Sequence, residues 1–411
     1  MDDALILFDD DVARDWFPFC LTRPAGELRF GTMTLRQRAE RWFGMRCAGY
    51  MAAPHLQAFD EPWAPPVLQD VPPHGAGTLF LSSRTVLAEP GPDDARVGPE
   101  PHLIAVAGMV CGWYAPAGTP LPGDDFFRDP VAHTPRMPVR ELPGRLFRHP
   151  WQLIIDNVER IAADAAWLHP DAPRPDLPHG VHVLGDGAVL LGRNVALEPG
   201  TVLDASRGPI WLEDHVVVRA FSRLAGPVHV APGSALLGGS YEGVSIGPVC
   251  RVRGEVGESI FLGYANKSHE GFLGHALVGM WANLGALTTN SDLKNNYGTV
   301  RMWTPAGPVD TGAVKLGALV GDHVKTAIGT LLTTGTVIGP GANLFGGAPP
   351  GYVPPFAWGG RDTGSWYDID RFLATAAVVM QRRNVALSDD ARTLLRAAHD
   401  EAVRRGWIAG P

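Results

Sequence analysis

The chain has few of the residues that mark a disulfide-bonded, zinc-binding or membrane protein. Only 4 cysteines occur in 411 residues, and none of them forms a CxxC pair, so neither a disulfide framework nor a zinc ribbon is indicated. No apolar run approaches the length that spans a bilayer. The acidic start, MDDALILFDDD, lacks the basic region of a secretory signal. We therefore expect a cytoplasmic protein that does not contact a membrane.

Basic charge is also scarce. The 35 Lys and Arg residues are outnumbered by 43 Asp and Glu residues, and the formal net charge is −8. The basic surface of a nucleic-acid-binding protein is therefore not indicated, although a local basic pocket for a phosphorylated small molecule is compatible with this charge. Glycine and proline are plentiful instead, at 49 and 37 residues, and are spread among aliphatic residues. That distribution indicates many turns in a folded chain.

The most regular feature is a period of six residues. Between positions 318 and 347 the chain divides into ALVGDH, VKTAIG, TLLTTG, TVIGPG and ANLFGG. Because side chains alternate along a strand, positions one and three of each hexad point the same way, and we expect both to face the interior. Earlier pairs of such positions include Val189/Leu191, Val228/Val230, Ala276/Val278, Ala282/Leu284 and Thr288/Asn290. This repeat indicates a parallel β-helix and resembles the left-handed β-helix of hexapeptide-repeat acyltransferases.

These patterns predict four segments. Residues 1–148 alternate strand and helix patterns, which favours an α/β domain. Residues 149–180 combine one linker helix, over 149–168, with a Pro-rich spacer. Residues 181–350 form the β-helix, interrupted by a polar loop between about 292 and 311, and residues 351–411 form a helical tail in which Ser388 is an N-cap.

Polar side chains concentrate in one part of the β-helix. Acetyl transfer to an amine needs a base, and histidine is suited to that role at neutral pH. It also needs donors for the developing oxyanion, and a substrate phosphate needs cationic or amide donors. His269, Lys267, Asn283, Asn290 and Lys294 supply these chemical types within one stretch. We predict His269 as the catalytic base and the other four as substrate contacts.

The stretch HEGFLGHALVGMWANLGALT is similar to the acetyltransferase signature of the bifunctional enzymes that make UDP-N-acetylglucosamine. There, a His stands five residues before a Gly and fourteen before an Asn, as His269 does here before Gly274 and Asn283. The resemblance implies acetyl transfer from acetyl-CoA, His269 as general base, Asn283 at the sugar phosphate, and a homotrimer with sites between subunits. This chain departs from that family at Phe272, in place of an aromatic hydroxyl, and at Leu287, in place of a Gly.

Two further residues are predicted to contact the coenzyme. Ala286 lies in the small-residue run after Asn283, and Lys325 replaces the usual small or apolar residue of its hexad. An outward-pointing lysine at such a position is suited to a phosphate of coenzyme A.

The stretch LTRPAGELRFGTMTLRQRAERW resembles sugar-phosphate nucleotidyltransferases more weakly. The Gly-rich phosphate loop of those enzymes is missing, Arg29 stands at the position of a signature Lys, and Arg84 stands where a magnesium-binding Asp is usual. The resemblance implies Mg2+-dependent joining of a sugar 1-phosphate to a nucleoside triphosphate. We predict Arg23 and Arg29 as phosphate contacts, and Asp9 and Asp10, which follow the first strand, as metal ligands. A solvated acidic turn is the alternative for these aspartates.

Two other functions are compatible with the sequence. A first domain that has lost catalysis and only binds a nucleotide sugar is consistent with the missing Gly loop and with Arg84. A zinc site like that of the gamma-class carbonic anhydrases would use His269, His275 and His323, but it leaves the Asn- and Lys-rich loop without a role.

Overall fold

The structure, a computed structural model, describes residues 3–71, 77–89, 97–171, 173, 175–360 and 365–409. Met1 and Asp2, as well as Ala172 and Arg174 of the predicted spacer, lie outside these ranges. The chain divides into two compact units. The first comprises residues 3–28, Met33–Pro150 and Ser388–Ala398, and the second comprises Arg29–Thr32, Trp151–Leu387 and residues 399–409.

The amino-terminal part contains short strands and helices around a mixed sheet. They are β1 (Ala4–Phe8), α1 (Asp11–Arg14), β2 (Arg29–Phe30), β3 (Met33–Thr34), α2 (Leu35–Phe43), β4 (Cys47–Met51), β5 (Thr78–Ser82), β6 (Thr85–Leu87), β7 (His102–Val106), β8 (Met109–Ala115), α3 (Asp124–Arg128), β9 (Val139–Leu142) and β10 (Gly144–Leu146). The sheet order is β4-β1-β5-β8-β7-β9, in which β1 is parallel to both β4 and β5. The predicted strands in ALILF, GTLFLSS and HLIAVAG are confirmed as β1, β5 and β7.

Helix α2 confirms the helix predicted in GTMTLRQRAERWFG. The Thr34 hydroxyl accepts a hydrogen bond from the Gln37 amide, and the Gln37 side chain accepts one from the Thr34 amide, which is a capping box. Gly44 ends the helix with a φ of 64°, a left-handed conformation that costs glycine little. The buried face of α2, including Ala39 and Trp42, packs in the core of the first unit.

The prediction of one continuous helix over 149–168 is wrong, because the segment forms α4 (Trp151–Ile155) and α5 (Asn157–Leu168). The break coincides with a buried tertiary contact. The Asn157 carboxamide oxygen accepts hydrogen bonds from the Gly31 amide at 2.9 Å and from the Ser245 hydroxyl at 3.1 Å. Hydrophobic periodicity does not reveal such a contact, so the sequence pattern runs through the break.

The second unit is a left-handed parallel β-helix. Its strands are β11 (His182–Leu184), β12 (Val189–Leu191), β13 (Ala196–Leu197), β14 (Val202–Asp204), β15 (Ile210–Leu212), β16 (Val217–Val218), β17 (Ser222–Ala225), β18 (Val228–Val230), β19 (Ala235–Glu242), β20 (Ser245–Ile246), β21 (Arg251–Gly257), β22 (Ile260–Phe261), β23 (Asn266–Lys267), β24 (Leu273–Gly274), β25 (Leu277–Val278), β26 (Asn283–Leu284), β27 (Thr289–Asn290), β28 (Arg301–Met302), β29 (Val309–Asp310), β30 (Leu319–Val320), β31 (Lys325–Thr326), β32 (Leu331–Leu332), β33 (Val337–Ile338), β34 (Asn343–Leu344) and β35 (Tyr352–Val353).

Strands of successive coils pair in parallel to form the faces of this helix. Sheet one runs β11-β14-β17-β19-β21-β23-β26-β31-β34, and sheet two runs β12-β15-β18-β20-β22-β25-β30-β33-β35. Shorter pairs, such as β27 with β32, form the third face. Ile210 pairs with Val228, and Leu319 with Val337, so a regular coil takes eighteen residues, or three hexads.

The predicted inward positions are confirmed. Hexad positions one and three between 318 and 347 are at most 5% exposed and fill the core with residues from the earlier coils. One detail differs from the expectation that glycine supplies the turns. Several corners place other residues at positive φ, including His275, Trp281 and Leu287 at intervals of six. The coil geometry imposes this left-handed conformation on whichever residue occupies the corner.

The polar loop and the carboxy-terminal tail are the remaining parts of the chain. The polar loop leaves the coil after β27, forms an antiparallel hairpin from β28 and β29, and returns at β30. The tail contains α6 (Ile369–Gln381) and α7 (Asp389–Arg404), and the Ser388 hydroxyl accepts a hydrogen bond from the Ala391 amide, as predicted for an N-cap. Within the described ranges, no helix has the length and apolarity needed to cross a membrane.

Candidate functional site

The polar stretch that begins at Asn266 winds around the β-helix, so its side chains face different ways. Lys267 and Asn290 are each 1% exposed and point into the coil, whereas Asn266 and Asn283 are partly exposed on the outer surface of sheet one. The ring of His269 is exposed. The structure therefore brings only some of the predicted residues to one surface.

Lys267 is a buried lysine that holds the backbone near His269. Its ammonium donates hydrogen bonds to the carbonyl oxygens of Arg253 at 2.8 Å and His269 at 3.1 Å. Burial lowers the pKa of Lys267 to about 8. Gly271, at a φ of 133°, follows this turn, and a Cβ there would lie 2.3 Å from the Thr288 carbonyl oxygen. The lysine and the glycine together fix the turn that presents the histidine.

Four outward residues on consecutive strands of sheet one form what we call the polar ladder: Asn266, Asn283, Lys325 and Asn343. Asn266 pairs with Asn283, Asn283 with Lys325, and Lys325 with Asn343. The Asn266 amide donates to the Asn283 side-chain oxygen at 2.8 Å. Each of these residues is at position two of its hexad, which is an outward position.

Further polar groups contact two members of the polar ladder. The Ser268 hydroxyl donates to the Asn266 side-chain oxygen at 2.6 Å, and the Arg383 guanidinium lies 3.4 Å from the same oxygen. The Lys325 ammonium lies 3.3 Å from the His323 carbonyl oxygen, and burial lowers the pKa of Lys325 to about 8. Two predicted residues, Asn283 and Lys325, are thus neighbours on one surface that also carries amide and guanidinium donors.

The remaining predicted residues of this region make local contacts. The Asn290 side chain bonds both backbone groups of Gly274, accepting from the amide at 2.9 Å and donating to the carbonyl at 2.8 Å. The Lys294 ammonium donates to the Thr299 carbonyl inside the polar loop at 2.9 Å. Ala286 is at a corner, where its carbonyl accepts from the Gly329 amide. Asn290 therefore stabilises the backbone inside the coil.

Sequence reasoning did not find an ion cluster on the third face. His275 lies between two carboxylates, with Nδ1 2.8 Å from Asp292 and Nε2 3.1 Å from Glu258. Burial works against protonation, but the hydrogen bonds and charges of Glu258 and Asp292 leave the pKa of His275 above its ordinary value. Glu258 and His275 are one coil apart and both lie at corners, so their spacing in the sequence could have predicted this contact.

The zinc alternative receives no support from this arrangement. Both ring nitrogens of His275 are held by carboxylates, and His323 packs between the rings of Trp281 and Phe372. In the part of the chain that the structure describes, no group of three or more His, Cys, Asp or Glu side chains is placed to hold a metal ion.

The predicted magnesium ligands of the first unit lie at the end of β1. The Arg84 Nε atom is 2.8 Å from both carboxylate oxygens of Asp10, which is 1% exposed. Asp10 also accepts from the Ala13 amide and thereby caps α1. Burial raises the pKa of Asp9 to about 6, and one of its oxygens accepts from the Ala25 amide. A divalent ion on Asp10 would have to displace Arg84, so the predicted ligand pair does not fit a resident magnesium ion.

The predicted phosphate-binding arginines are also engaged. Arg23 forms an ion pair with Glu61 through two contacts of 2.7 and 2.9 Å. Arg29 belongs to the second unit, where its guanidinium donates to the Thr32 carbonyl at 2.6 Å. Both side chains are buried.

The amino-terminal part is similar to a family of known proteins. Residues 5–172 match the family model of sugar nucleotidyl transferases. A bifunctional sugar-1-phosphate nucleotidylyltransferase/acetyltransferase of Sulfurisphaera tokodaii is 30% identical over 94 residues, which are 23% of each chain. The bifunctional protein GlmU of Oleidesulfovibrio alaskensis is 28% identical over 244 residues, 51% of this chain and 52% of that protein.

This chain spans about half the length, or less, of these curated relatives. Among solved structures, a UDP-N-acetylglucosamine acyltransferase from Campylobacter jejuni shares 14% identity over 56% of this chain and 94% of that chain, with a TM-score of 0.24. That score is too low to support any inference, and the β-helix is established by the strand pairing described above.

Proposed function

We propose that this protein is a bifunctional transferase that acetylates an amino-sugar 1-phosphate and joins a sugar 1-phosphate to a nucleotide. One observation carries the proposal: a segment matching sugar nucleotidyl transferases precedes a hexapeptide β-helix on the same chain. The relative from Sulfurisphaera tokodaii is named for both activities, and the relative from Oleidesulfovibrio alaskensis is named a bifunctional protein. Its substrates would be a sugar phosphate, a nucleoside triphosphate and acetyl-CoA, all cytoplasmic metabolites.

His269 would act as the base of the acetyl transfer. Its ring is exposed, and Lys267 fixes its backbone. The substrate amine attacks the thioester carbon while His269 accepts the amine proton; the new C–N bond replaces the C–S bond, and the departing thiolate of coenzyme A takes that proton from His269. Asn283 and Lys325 would hold the phosphates of the two substrates, because the polar ladder places them side by side. In this proposal Lys267 and Asn290 position the coil instead of contacting substrate.

A second copy of the chain would complete the site. Leu287, Ile328 and Leu331 are 56%, 78% and 59% exposed. Leu287 pairs with Glu270 through the backbone, so this apolar strip begins one coil from His269. Exposed apolar strips of this kind mark interfaces between subunits. We therefore propose a homotrimer in which the strip of one subunit packs beside His269 of the next.

A second candidate concerns the first unit alone. The ion pairs Asp10–Arg84 and Arg23–Glu61 engage the side chains predicted to hold metal and phosphate. They favour a first unit that binds a nucleotide sugar without forming one. In the bifunctional case, Mg2+ would enter as part of the nucleoside triphosphate substrate, since its phosphates supply most of the ligands such an ion needs.

The test of the acetyl transfer measures thiol release from acetyl-CoA with glucosamine 1-phosphate. Replacing His269 by Ala is expected to lower the rate by about 100- to 10,000-fold, the usual contribution of a positioned base. His215, an exposed histidine at a corner elsewhere in the β-helix, provides the control, and His215→Ala should retain the rate. Release that survives in His269→Ala would show that another group is the base.

The test of the first unit measures pyrophosphate release. Acetylated product, magnesium and each of the common nucleoside triphosphates are supplied to the same protein. Release with one nucleotide supports the bifunctional enzyme. Acetyl transfer without pyrophosphate release, together with saturable binding of a nucleotide sugar, would establish the second candidate.

A further inference from the structure

A cavity of about 540 Å³ opens on the outer surface of the first coils. Its lining includes His169, Pro173, Leu190, Trp211, Glu213 and Asp214. Leu190 and Trp211 are outward neighbours on β12 and β15 of sheet two. β25 follows the segment that holds His269, and four strand spacings separate it from β15 in sheet two. These spacings correspond to roughly 19 Å along the coil axis. The cavity is therefore distinct from the surface on which acetyl transfer is proposed.

An aromatic side chain forms one wall of the cavity. The Trp211 indole lies 4.5 Å from the His169 ring and 5.1 Å from the His229 ring, and both contacts are close to perpendicular. These two rings fix the orientation of the indole, which remains partly exposed. A fixed indole offers a flat apolar surface on which a ring with axial C–H bonds, or a cation, can lie.

A carboxylate stands beside this wall. The Glu213 Oε1 atom is 2.7 Å from Nε2 of His229, which is completely buried. Burial alone would raise the pKa of Glu213, but the hydrogen bond from His229 keeps it below its ordinary value. The side chain of Glu213 is 30% exposed. Within the described part of the chain, Oε2 has no hydrogen-bond partner, so it is an acceptor for a ligand.

The neighbouring Asp214 has a different role. Its two oxygens accept hydrogen bonds from the backbone and guanidinium of Arg193, at 2.6 to 2.9 Å. The Arg193 guanidinium therefore neutralises Asp214, which offers no free acceptor. Lysine and arginine are absent from the described residues that line the cavity. The carboxylate of Glu213 repels a phosphate and favours a neutral or cationic ligand with hydroxyl or ammonium donors.

We propose that this cavity binds an unphosphorylated hexosamine. A hexosamine offers an apolar ring face to Trp211, and hydroxyl and ammonium donors to Glu213. The site does not depend on the proposed function, because neither the polar ladder nor the first unit contributes to it. It would let the protein bind a free amino sugar, or the amino-sugar end of a saccharide, away from the reacting groups.

The experiment titrates the full-length protein with glucosamine and with glucose, using saturation-transfer NMR and calorimetry. Glucosamine should bind at least about tenfold more tightly than glucose, since a charge-assisted bond to Glu213 is worth about that factor. Trp211→Leu should weaken glucosamine binding by about tenfold or more. Glu213→Gln should remove the preference for glucosamine over glucose. Trp63→Leu, at a tryptophan that is 79% exposed, provides the matched control.

Two further variants keep the result interpretable. Leu190→Trp fills the cavity without touching the carboxylate and should also abolish binding, with thermal unfolding used to verify the fold. Asn283→Ala should lower acetyl transfer while leaving glucosamine binding unchanged, which separates this site from the proposed acceptor site. Absence of saturable binding to the wild type, or equal binding by Trp211→Leu, would overturn the proposal. Absence of acetyl transfer by the wild type, together with intact glucosamine binding, would overturn only the proposed function.

Discussion

Replacing Arg84 by Met is expected to destabilise the first unit by about 3–5 kcal/mol, the usual cost of leaving a buried charge unpaired. Asp10 is 1% exposed, and Arg84 is 8% exposed. Both carboxylate oxygens are 2.8 Å from the guanidinium Nε atom. Methionine retains much of the aliphatic volume of arginine, so the loss arises mainly from the charge and from the hydrogen bond that Arg84 donates to Phe147.

The double variant Asp10→Asn with Arg84→Met separates charge from packing. Asparagine caps a helix as well as aspartate does, so the hydrogen bond from the Ala13 amide is retained. With the unpaired charge removed, the double variant should recover at least half of the loss. A coupling energy of about 1.5–3 kcal/mol between the two positions is expected, as for residues in direct contact.

Urea titration followed by circular dichroism measures these effects. The matched control is Arg128→Met, because the ion pair of Arg128 with Asp11 is half-exposed, and its loss should leave the midpoint within error. Magnesium should raise the midpoint of Arg84→Met but not that of the wild type, since only the variant exposes the Asp10 carboxylate to an ion. A cost below about 1 kcal/mol for Arg84→Met would refute the reasoning, because Asp10 would then carry no charge that needs a partner.

Three other substitutions test the second unit. Asn290→Leu leaves the backbone groups of Gly274 unpaired, so it should lower the free energy of unfolding by about 2–4 kcal/mol in urea titrations. The KM for sugar phosphate should not change. A raised KM at unchanged stability would show that Asn290 contacts substrate instead. His275 has a pKa raised by its two carboxylate partners, so its contribution to stability is complete at low pH and is lost as the pH rises through the folded pKa. The stability difference between wild type and His275→Gln should therefore shrink from pH 5.5 to pH 9, and a constant difference would contradict the ion cluster. Phe372→Ala should lower the free energy of unfolding by about 3–5 kcal/mol, because Phe372 is 1% exposed. The control Val378→Ala, at a position 64% exposed on the same helix, should lower it little. Equal losses would show that α6 does not pack through Phe372.

The β-helix was predictable because its rule is local and repeats. Positions one and three of each hexad face inward, and the burial of pairs such as Ala282 and Leu284 follows that rule. The division of the linker helix was not predictable. It depends on Asn157 reaching Gly31, more than a hundred residues away, and no local pattern encodes that contact.

In the first unit, pairing between side chains limits how far a metal or phosphate site can be predicted from the sequence. The sequence shows Asp10, Arg84, Arg23 and Glu61 far apart, and each has the residue type expected for a metal or phosphate site. Parallel pairing of β1 with β5 places Phe8 opposite Ser82, and this register brings Asp10 and Arg84 together. The charges of Asp10 and Arg84 thereby neutralise each other in an ion pair. Candidate lists drawn from residue type treat such residues as independent, although the fold makes them partners.

The polar stretch shows that part of the site was predictable from the repeat itself. Asn290 is the third residue of the hexad that begins at Thr288, so the rule that placed Leu284 inside also places Asn290 inside. Lys267 is likewise the third residue of a hexad that begins at Ala265, and both are at most 1% exposed. The segment between that hexad and Ala276 has five residues instead of six, which hides the register. Position two, by contrast, always faces outward, and it holds every member of the polar ladder. In this β-helix, position within the hexad is therefore a better guide than residue type to whether a polar side chain faces the interior.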